Sequence, residues 1–296
     1  MPAHTYQKAT ILGPGLIGAS IGLALKGRGM AQQIVGLARR TSTLEAAKGI
    51  GAIDVGTTDL EEALEGADLV VFAAPAMATI KLMEQTGALC SVLGGSKGEK
   101  PLVTDVCSTK VEVVEAARRS LPNEVEFIGG HPMAGGESSG PEHARGDLFD
   151  KATWVLTPGD QTSAETVSRA EFLARALGAN VLILSPERHD EIVSVVSHLP
   201  HLLAAALMEA AGEMAQEYPE TWQVAATGFQ DMTRLAAGGA ELWRDVCLSN
   251  AIPIGDALAA FRQKLERIEA WLSRREGQAL EEMLVKVREQ RIQLEE

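Results

Sequence analysis

The chain has 296 residues with a formal net charge of −13, and 46% of them are hydrophobic. This length exceeds one average domain, and the composition is that of a soluble protein with a full core, so we expect two domains. The acidic balance and the few aromatic side chains argue against a nucleic-acid-binding surface, because phosphate backbones attract basic faces and unpaired bases stack on aromatic rings.

Nothing in the sequence indicates export, membrane insertion or a metal. The N-terminus has no apolar signal region, and apolar runs such as 69–78 are too short to span a bilayer. The cysteines Cys90, Cys107 and Cys247 are odd in number and lack metal-ligand spacing, which favours free thiols in a reducing compartment. We therefore expect a soluble cytoplasmic protein without a metal site.

Short β-rich runs alternate with helical segments from residue 8 to about residue 185. The predicted strands are Ala9–Leu12, Ile34–Leu37, Leu69–Ala73, Leu102–Asp105, Glu126–Ile128, Trp154–Thr157 and Val181–Leu184. The predicted helices include Leu16–Arg28, Thr43–Lys48, Leu60–Leu64 and Lys110–Arg119. This alternation favours a doubly wound parallel sheet, and the closely spaced later strands predict an extension that includes antiparallel pairing.

The pattern becomes helical after residue 185. Ser185 is a predicted N-cap with Pro186 at the first helical position, and Pro200 should kink or restart a helix. Apolar residues between Leu258 and Leu272 recur at three- and four-residue steps, which predicts an amphipathic helix that breaks at Gly277. We therefore divide the chain into an α/β domain, residues 1–185, and an all-α domain, residues 186–296.

A glycine-rich turn follows the first predicted strand and opens the first predicted helix. Gly13, Gly15 and Gly18 fit the pattern G-x-G-x-x-G, in which the glycines permit a tight turn, admit a pyrophosphate and let helix and strand pack closely. Leu16 and Ile17 begin the helix, whose N-terminal amides can bind phosphate. We interpret the α/β domain as a Rossmann-type dinucleotide-binding domain; the alternative is a glycine-rich turn without a ligand.

The end of the second strand indicates which dinucleotide binds. An NAD site would place an acid here for the ribose hydroxyl, but no acid occurs between Ala31 and Leu44. Arg39, Arg40 and Thr41 could instead bind a 2′-phosphate through charge-assisted hydrogen bonds. We predict NADP as the cofactor; the alternative is two arginines on a solvated loop.

Two polar residues follow strands at the expected ligand-binding edge of the sheet. Ser108 could donate a hydrogen bond to a ligand or cap the next helix. His131 lies in a glycine-rich loop that a ligand can approach closely, and its imidazole can exchange a proton near neutral pH. We interpret His131 as a catalytic base; a structural histidine is the alternative.

The helical domain offers further candidates for binding a ligand. His198 and His201 could share a helix face, but the lack of a third ligand at a supporting spacing argues against a metal. Arg234 has a guanidinium fork suited to a carboxylate, although an ion pair with Asp231 would also explain it.

These segments together resemble the prephenate/arogenate dehydrogenase (TyrA) family, and above all its cyanobacterial-type, NADP-dependent arogenate dehydrogenases. The matching motifs are Gly-Pro-Gly-Leu-Ile-Gly-Ala-Ser at 13–20, Thr-Asp-Val-Cys-Ser-Thr-Lys at 104–110, Gly-Gly-His-Pro-Met-Ala-Gly at 129–135, Ser-His-Leu-Pro-His at 197–201 and Gly-Phe-Gln-Asp-Met-Thr-Arg at 228–234. The resemblance spans nearly the whole chain.

The resemblance implies oxidative decarboxylation of a cyclohexadienol. His131 would accept the proton of the ring hydroxyl as a hydride leaves the same carbon for NADP⁺, and carbon dioxide would then be lost. Ser108 would hydrogen-bond the hydroxyl and position His131. Arg234 would bind a substrate carboxylate, with His201 and Gly135 nearby in the pocket.

The resemblance leaves open which substrate is used. Arogenate carries a protonated amine where prephenate carries a keto group, and Glu137 could bind that amine, although it could equally be a solvated loop acid or a gate. The NADP-like second strand and the short architecture favour arogenate, with prephenate as the alternative.

The family also implies a homodimer, formed by interlocking helices of the second domain. Trp243 would lie near the partner's pocket or in the core, and tyrosine feedback would act at the active site because no regulatory domain follows. A β-hydroxyacid dehydrogenase is a weaker alternative because its catalytic lysine has only Lys264 and Lys286 as counterparts. A non-catalytic NADP sensor would have no use for His131, Ser108 and Arg234 together.

Overall fold

The computed structural model describes residues 5–94, 100–122, 124–136 and 138–294. The chain divides into two compact units, Met1–Asn250 and Ala251–Glu296. Glu137, the candidate amine-binding residue, lies outside the described residues.

The first unit is built on an eight-stranded sheet. Its strands are β1 (Tyr6–Leu12), β2 (Ala31–Leu37), β3 (Val55–Thr57), β4 (Leu69–Phe72), β5 (Leu102–Asp105), β6 (Glu126–Pro132), β7 (Thr153–Thr157) and β8 (Asn180–Ile183), in the order β3-β2-β1-β4-β5-β6-β7-β8. Strands β1 to β6 are parallel, β7 is antiparallel to β6, and β8 is parallel to β7. The predicted parallel sheet with an antiparallel extension is confirmed, whereas the three-residue β3 was missed.

Helices cover both faces of this sheet. They are α1 (Leu16–Gly27), α2 (Thr41–Gly49), α3 (Leu60–Leu64), α4 (Ala76–Ala88), α5 (Val111–Ser120) and α6 (Ala164–Ala176). Ile11 and Leu12 are both fully buried but belong to different apolar clusters, because consecutive strand residues face opposite sides of a sheet. A parallel sheet buried on both faces places ligands at the carboxyl ends of its strands.

Helices complete the first unit after β8. They are α7 (Pro186–Val193), α8 (Leu199–Glu217), α9 (Thr227–Thr233) and α10 (Ala240–Ser249), with a π-helical turn at Ser194–His198 between α7 and α8. The Ser185 hydroxyl accepts a hydrogen bond from the Arg188 amide, so the predicted cap is confirmed. Pro200 lies in the first turn of α8 directly after the π-turn, as expected for a residue that interrupts a regular helix.

The helices after β8 contain a longer apolar stretch than the run at 69–78, from which we expected no segment long enough to span a bilayer. The helical stretch Pro186–Glu217 is long and apolar enough to cross a membrane by length and composition, and 33% of its most apolar window is buried. The core helix of a soluble protein passes the same test, so this property alone is weak evidence for a membrane span.

The second unit consists of two helices, α11 (Ala251–Arg274) and α12 (Gly277–Gln293). The predicted amphipathic helix is confirmed, and the break lies at Arg275 and Glu276, just before Gly277, with Arg275 at a φ of 54°. Leu265, Leu272 and Leu284 each remain more than half exposed.

Candidate active site

The glycine-rich turn after β1 has the shape of a phosphate-binding loop. Gly13 has a φ of +104°, and a Cβ atom there would lie 2.9 Å from the Ala73 carbonyl oxygen. A Cβ added to Gly18 would press into the Gly13 carbonyl oxygen, so α1 packs closely on the turn. At Gly15 the same test finds no atom within 4 Å, which leaves open space at the N-terminus of α1. These residues fit a dinucleotide pyrophosphate.

The predicted 2′-phosphate site lies beside this turn. The Gly13 amide donates to the Leu37 carbonyl at the end of β2, and Arg39 and Arg40 follow that strand directly. Both arginines are exposed, and Thr41 begins α2. The basic pair therefore lies at the carboxyl edge of the sheet next to the glycine turn.

His131 lies within a strand and not after it. β6 continues to Pro132, where His131 pairs with Val155 of the antiparallel strand β7, so the predicted end of β6 at Ile128 was too early. Only 8% of His131 is exposed. The antiparallel partner holds the backbone on either side of the imidazole, which a free loop would not do.

A chain of buried side chains runs inward from His131. Its Nδ1 lies 2.8 Å from Nε2 of His189, and Nδ1 of His189 lies 2.7 Å from Oδ1 of Asp190. His189 and Asp190 are adjacent residues of α7 and are almost fully buried. Since Nδ1 of His131 is engaged by His189, its Nε2 is the nitrogen that can meet a substrate.

Asp190 is held by the backbone of a second element. Its Oδ1 accepts a 2.8 Å hydrogen bond from the Lys110 amide, and its Oδ2 accepts a 2.9 Å hydrogen bond from the Val111 amide. These two amides lie at the N-terminus of α5, where the helix dipole favours a negative charge. The Asp190 carbonyl also accepts a hydrogen bond from the Asn250 side chain. The carboxylate therefore has a fixed position.

A buried ion pair supports the backbone next to His131. The Lys110 ammonium pairs with the Asp105 carboxylate and donates a 2.7 Å hydrogen bond to the Gly130 carbonyl. Asp105 in turn accepts hydrogen bonds from the amides of Gly130 and Cys107. The residue preceding His131 is thus bound on both its donor and its acceptor side.

Ser108 lies in the turn between β5 and α5 and is half-buried. In this structure the hydrogen-bonding partner of the His131 imidazole is His189, and the positioning role of Ser108 stays a prediction. A bond from Ser108 to the substrate hydroxyl stays a prediction.

Two further histidines, His198 and His201, lie against the indole of Trp243. His198 meets the indole edge-on with ring centroids 6.1 Å apart, and its Nδ1 lies 3.1 Å from the Asn250 amide nitrogen. His201 stacks on the indole of the same chain. Nε2 of His198 and Nδ1 of His201 are buried and have no hydrogen-bond partner within the described parts of the chain.

Arg234 begins a 3-10 turn, Arg234–Ala237, directly after α9, and it is exposed. This turn packs against α8, the helix that carries His201. This contact places the two predicted substrate-binding residues in neighbouring segments. The exposed Gly135 has a φ of +153° and faces Ile17 of the glycine turn.

Burial lowers the pKa of two histidines of this site. Desolvation lowers the pKa of His131 well below 6.5, and the electrostatic influence of His189, Lys110 and His198 lowers it further. Desolvation also lowers the pKa of His198, to about 4. A neutral imidazole with a free Nε2 can act as a general base.

Sequence reasoning missed four residues of this arrangement: His189, Asp190, Asp105 and Lys110. One signal was present, because His189 and Asp190 follow a capped helix start at 185–186 and thus lie in the first turns of a helix at the sheet. Asp105 and Lys110 belong to the motif at 104–110, but neither their burial nor their pairing can be recognised from their neighbours in sequence.

Comparison with known proteins agrees with this geometry. The family model "Prephenate dehydrogenase, nucleotide-binding domain" matches residues 21–183, and "Prephenate dehydrogenase, dimerization domain" matches residues 185–286. A prephenate dehydrogenase of Bacillus subtilis is 35% identical over 93% of this chain and 73% of its own length.

Two solved structures resemble the whole chain. Prephenate dehydrogenase from Aquifex aeolicus, in complex with hydroxyphenyl propionate and NAD⁺, superposes with a TM-score of 0.90 at 29% identity and covers 99% of each chain. Synechocystis arogenate dehydrogenase has a TM-score of 0.79 at 29% identity, covering 96% of this chain and 99% of its own. The chain belongs to the prephenate dehydrogenase (TyrA) family, oxidoreductases of tyrosine biosynthesis with a nucleotide-binding domain followed by a dimerisation domain.

Proposed function

We propose that this protein catalyses the oxidative decarboxylation of prephenate with a nicotinamide dinucleotide as oxidant. The observation that carries this proposal is His131, a buried neutral imidazole whose Nδ1 is engaged by His189 and whose Nε2 is left for the substrate. The glycine turn of the same sheet provides the dinucleotide site.

The chemistry follows from these positions. The ring hydroxyl gives its proton to Nε2 of His131, and the hydride leaves the carbon that bears this hydroxyl. The bound cofactor supplies the hydride acceptor at its nicotinamide ring. The bond from the ring to its carboxylate then breaks, carbon dioxide departs, and the electron pair of that bond makes the ring aromatic. Ser108 hydrogen-bonds the hydroxyl, whereas Arg234 and His201 bind a substrate carboxylate.

Prephenate replaces arogenate as the favoured substrate. The Bacillus subtilis relative is a prephenate dehydrogenase, and the Aquifex aeolicus structure holds hydroxyphenyl propionate, a molecule without the amine of arogenate. The likeness to Synechocystis arogenate dehydrogenase keeps arogenate as the second candidate.

For the cofactor we propose NADP. Arg39 and Arg40 are exposed directly after β2, and the segment from Ala31 to Leu44 contains no acid that would repel a 2′-phosphate. The Aquifex aeolicus structure contains NAD⁺, so NAD is the alternative.

We also propose a cytoplasmic homodimer. Leu265, Leu272 and Leu284 stay more than half exposed on α11 and α12, as expected for apolar side chains that a partner subunit covers. The matched dimerisation domain includes these positions.

An assay that crosses two substrates with two cofactors tests the function. Reduction of the cofactor is followed by absorbance with prephenate or arogenate and NADP⁺ or NAD⁺. We expect the highest kcat/KM with prephenate and NADP⁺. A higher kcat/KM with arogenate would reverse the substrate assignment, and no reduction with either substrate would overturn the enzymatic function.

A further inference from the structure

The protons of the chain from His131 to Asp190 can be placed by elimination. An ionised carboxylate only accepts hydrogen bonds, so Nδ1 of His189 must carry the proton that it shares with Asp190. In an imidazole whose proton is on Nδ1, Nε2 can only accept, so Nδ1 of His131 donates the hydrogen bond between the two rings. Nε2 of His131 is therefore left with its lone pair.

We propose that His189 and Asp190 are positioning residues that hold His131 in the tautomer with a basic Nε2. Asp190 orients His189, and His189 orients His131 through its own Nε2. When His131 takes the substrate proton, its Nδ1–H donates more strongly to His189, and the Asp190 carboxylate stabilises the new positive charge. This inference rests on the proposed function, because it assigns the residues behind the base of that reaction.

The groups around Asp190 hold its carboxylate next to His189, where it can stabilise a positive charge on the His131 imidazole. The Asp190 carboxylate accepts hydrogen bonds from the Lys110 and Val111 amides at the N-terminus of α5. It cannot rotate away from His189 without leaving these two amides unpaired. From the other elements, the ammonium of Lys110 and the imidazole of His198 lie near His131, and Lys110 forms a buried ion pair with Asp105. Glu112 of α5 also lies near Asp190; burial raises the pKa of Glu112, and the charge of Asp190 raises it further.

Two substitutions at His189 separate positioning from packing. His189→Leu keeps apolar volume but removes the acceptor for Nδ1 of His131. His189→Gln offers an amide oxygen near the position of Nε2, so it can still accept from His131 while losing the imidazole link to Asp190. The matched control is His143→Leu, because His143 is exposed on a 3-10 turn at 141–143 outside the site.

Turnover of prephenate is measured with the cofactor that wild type prefers, together with binding of the reduced cofactor. We expect His189→Leu to lower kcat by about a hundredfold or more, since the wrong tautomer of a catalytic histidine removes general-base catalysis. KM and cofactor binding should change by less than about threefold, and His189→Gln should recover at least about tenfold of the lost kcat. A kcat of His189→Leu within about twofold of wild type, or no recovery in His189→Gln, would overturn the positioning role.

The tautomer of His131 can also be measured directly in the wild-type protein, without a substitution at His189 or Asp190. In wild-type protein labelled with ¹⁵N-histidine, two-bond ¹H–¹⁵N correlation spectra distinguish a protonated Nδ1 from a protonated Nε2, and His131→Asn identifies the His131 signals. We expect protonated Nδ1 and unprotonated Nε2 in His131. The opposite tautomer would overturn the inference even if His189→Leu did not fold, whereas failure of the proposed function would appear as a wild type that does not turn over prephenate.

Discussion

The imidazole of His201 lies flat on the indole of Trp243, with ring centroids 3.6 Å apart and an angle of 8° between the planes. Gly238 makes this contact possible, because a Cβ atom there would lie 3.1 Å from Cε1 of His201 and closer still to the indole nitrogen. The stack fixes the ring plane of a predicted substrate-binding residue.

We therefore expect Trp243→Leu to raise KM for prephenate by about two- to tenfold, because a stacked aromatic pair contributes about 0.5–1.5 kcal/mol beyond its buried area. Trp243→Phe keeps a ring against His201 and should stay near the wild-type KM. Steady-state kinetics at saturating cofactor measure both variants. If Trp243→Leu and wild type had equal KM values, either His201 would not bind the substrate or the stack on Trp243 would not orient His201.

His131 itself should be dispensable for cofactor binding and essential for turnover. His131→Asn is expected to bind reduced cofactor normally and to lose at least about a hundredfold in kcat, since it removes the base. Fluorescence titration and absorbance kinetics make the comparison. Near-normal turnover would assign the base to another group.

The lowered pKa of His131 also predicts the pH profile. His131 loses activity only when it is protonated, and its pKa lies well below 6.5. kcat/KM should therefore stay constant as the pH falls from about 7.5 to about 6, and decline only in more acidic solution. A decline centred near pH 6.5 would indicate a histidine with an ordinary pKa.

The basic pair after β2 should select the cofactor. Replacing Arg39 and Arg40 together by alanine is expected to raise KM for NADP⁺ by about tenfold or more, because hydrogen bonds to charged groups contribute about 1.5–3 kcal/mol each. KM for NAD⁺ should change little, since NAD⁺ lacks the 2′-phosphate. Arg118→Ala, in an exposed pair with Glu115 on α5, is the control. A parallel rise for both cofactors would contradict a 2′-phosphate site.

The buried ion pair beneath Gly130 should dominate stability in this region. Lys110→Met leaves the Asp105 carboxylate buried without its cation, which is expected to lower the free energy of unfolding by about 3–5 kcal/mol. Lys26→Met breaks an exposed pair with Asp54 and should cost less than about 1 kcal/mol. Chemical unfolding followed by circular dichroism measures both. Similar losses in the two variants would show that burial of the Lys110 pair adds nothing.

Acid should destabilise the fold through His198. The unfolded chain protonates this residue below about pH 6.5, whereas the folded protein does so only near pH 4. Between these values the unfolded state binds more protons, so the free energy of unfolding decreases as the pH falls, by on the order of 3 kcal/mol for this group. The pH dependence in wild type should be steeper than in His198→Gln, with the exposed His143→Gln as a control. Parallel curves for His198→Gln and wild type would exclude His198 as the source.

The sequence was sufficient for features that depend on local patterns. The glycine turn and the cap at Ser185 each have a short-range steric or hydrogen-bonding cause, and both are found in the structure, as is a helix break just before Gly277. The end of β6 was missed because the glycines before His131 suggest a loop, whereas pairing with β7 keeps them in a strand. The contact of His189 with His131 joins residues 58 apart in the chain, and no local pattern reports such a contact.

The π-turn at Ser194–His198 has a consequence for the alignment of α7 with α8. A π-turn holds one more residue than the α-helical turn it replaces, and one residue corresponds to about 100° of rotation around a helix. Deleting a single residue from this turn would rotate α8 relative to α7 by about that angle. His189 would then keep its contact with His131 while His201 turned away from Trp243. The extra residue of the π-turn thus sets the rotation that lets one continuous helical stretch place His189 against His131 and His201 against Trp243.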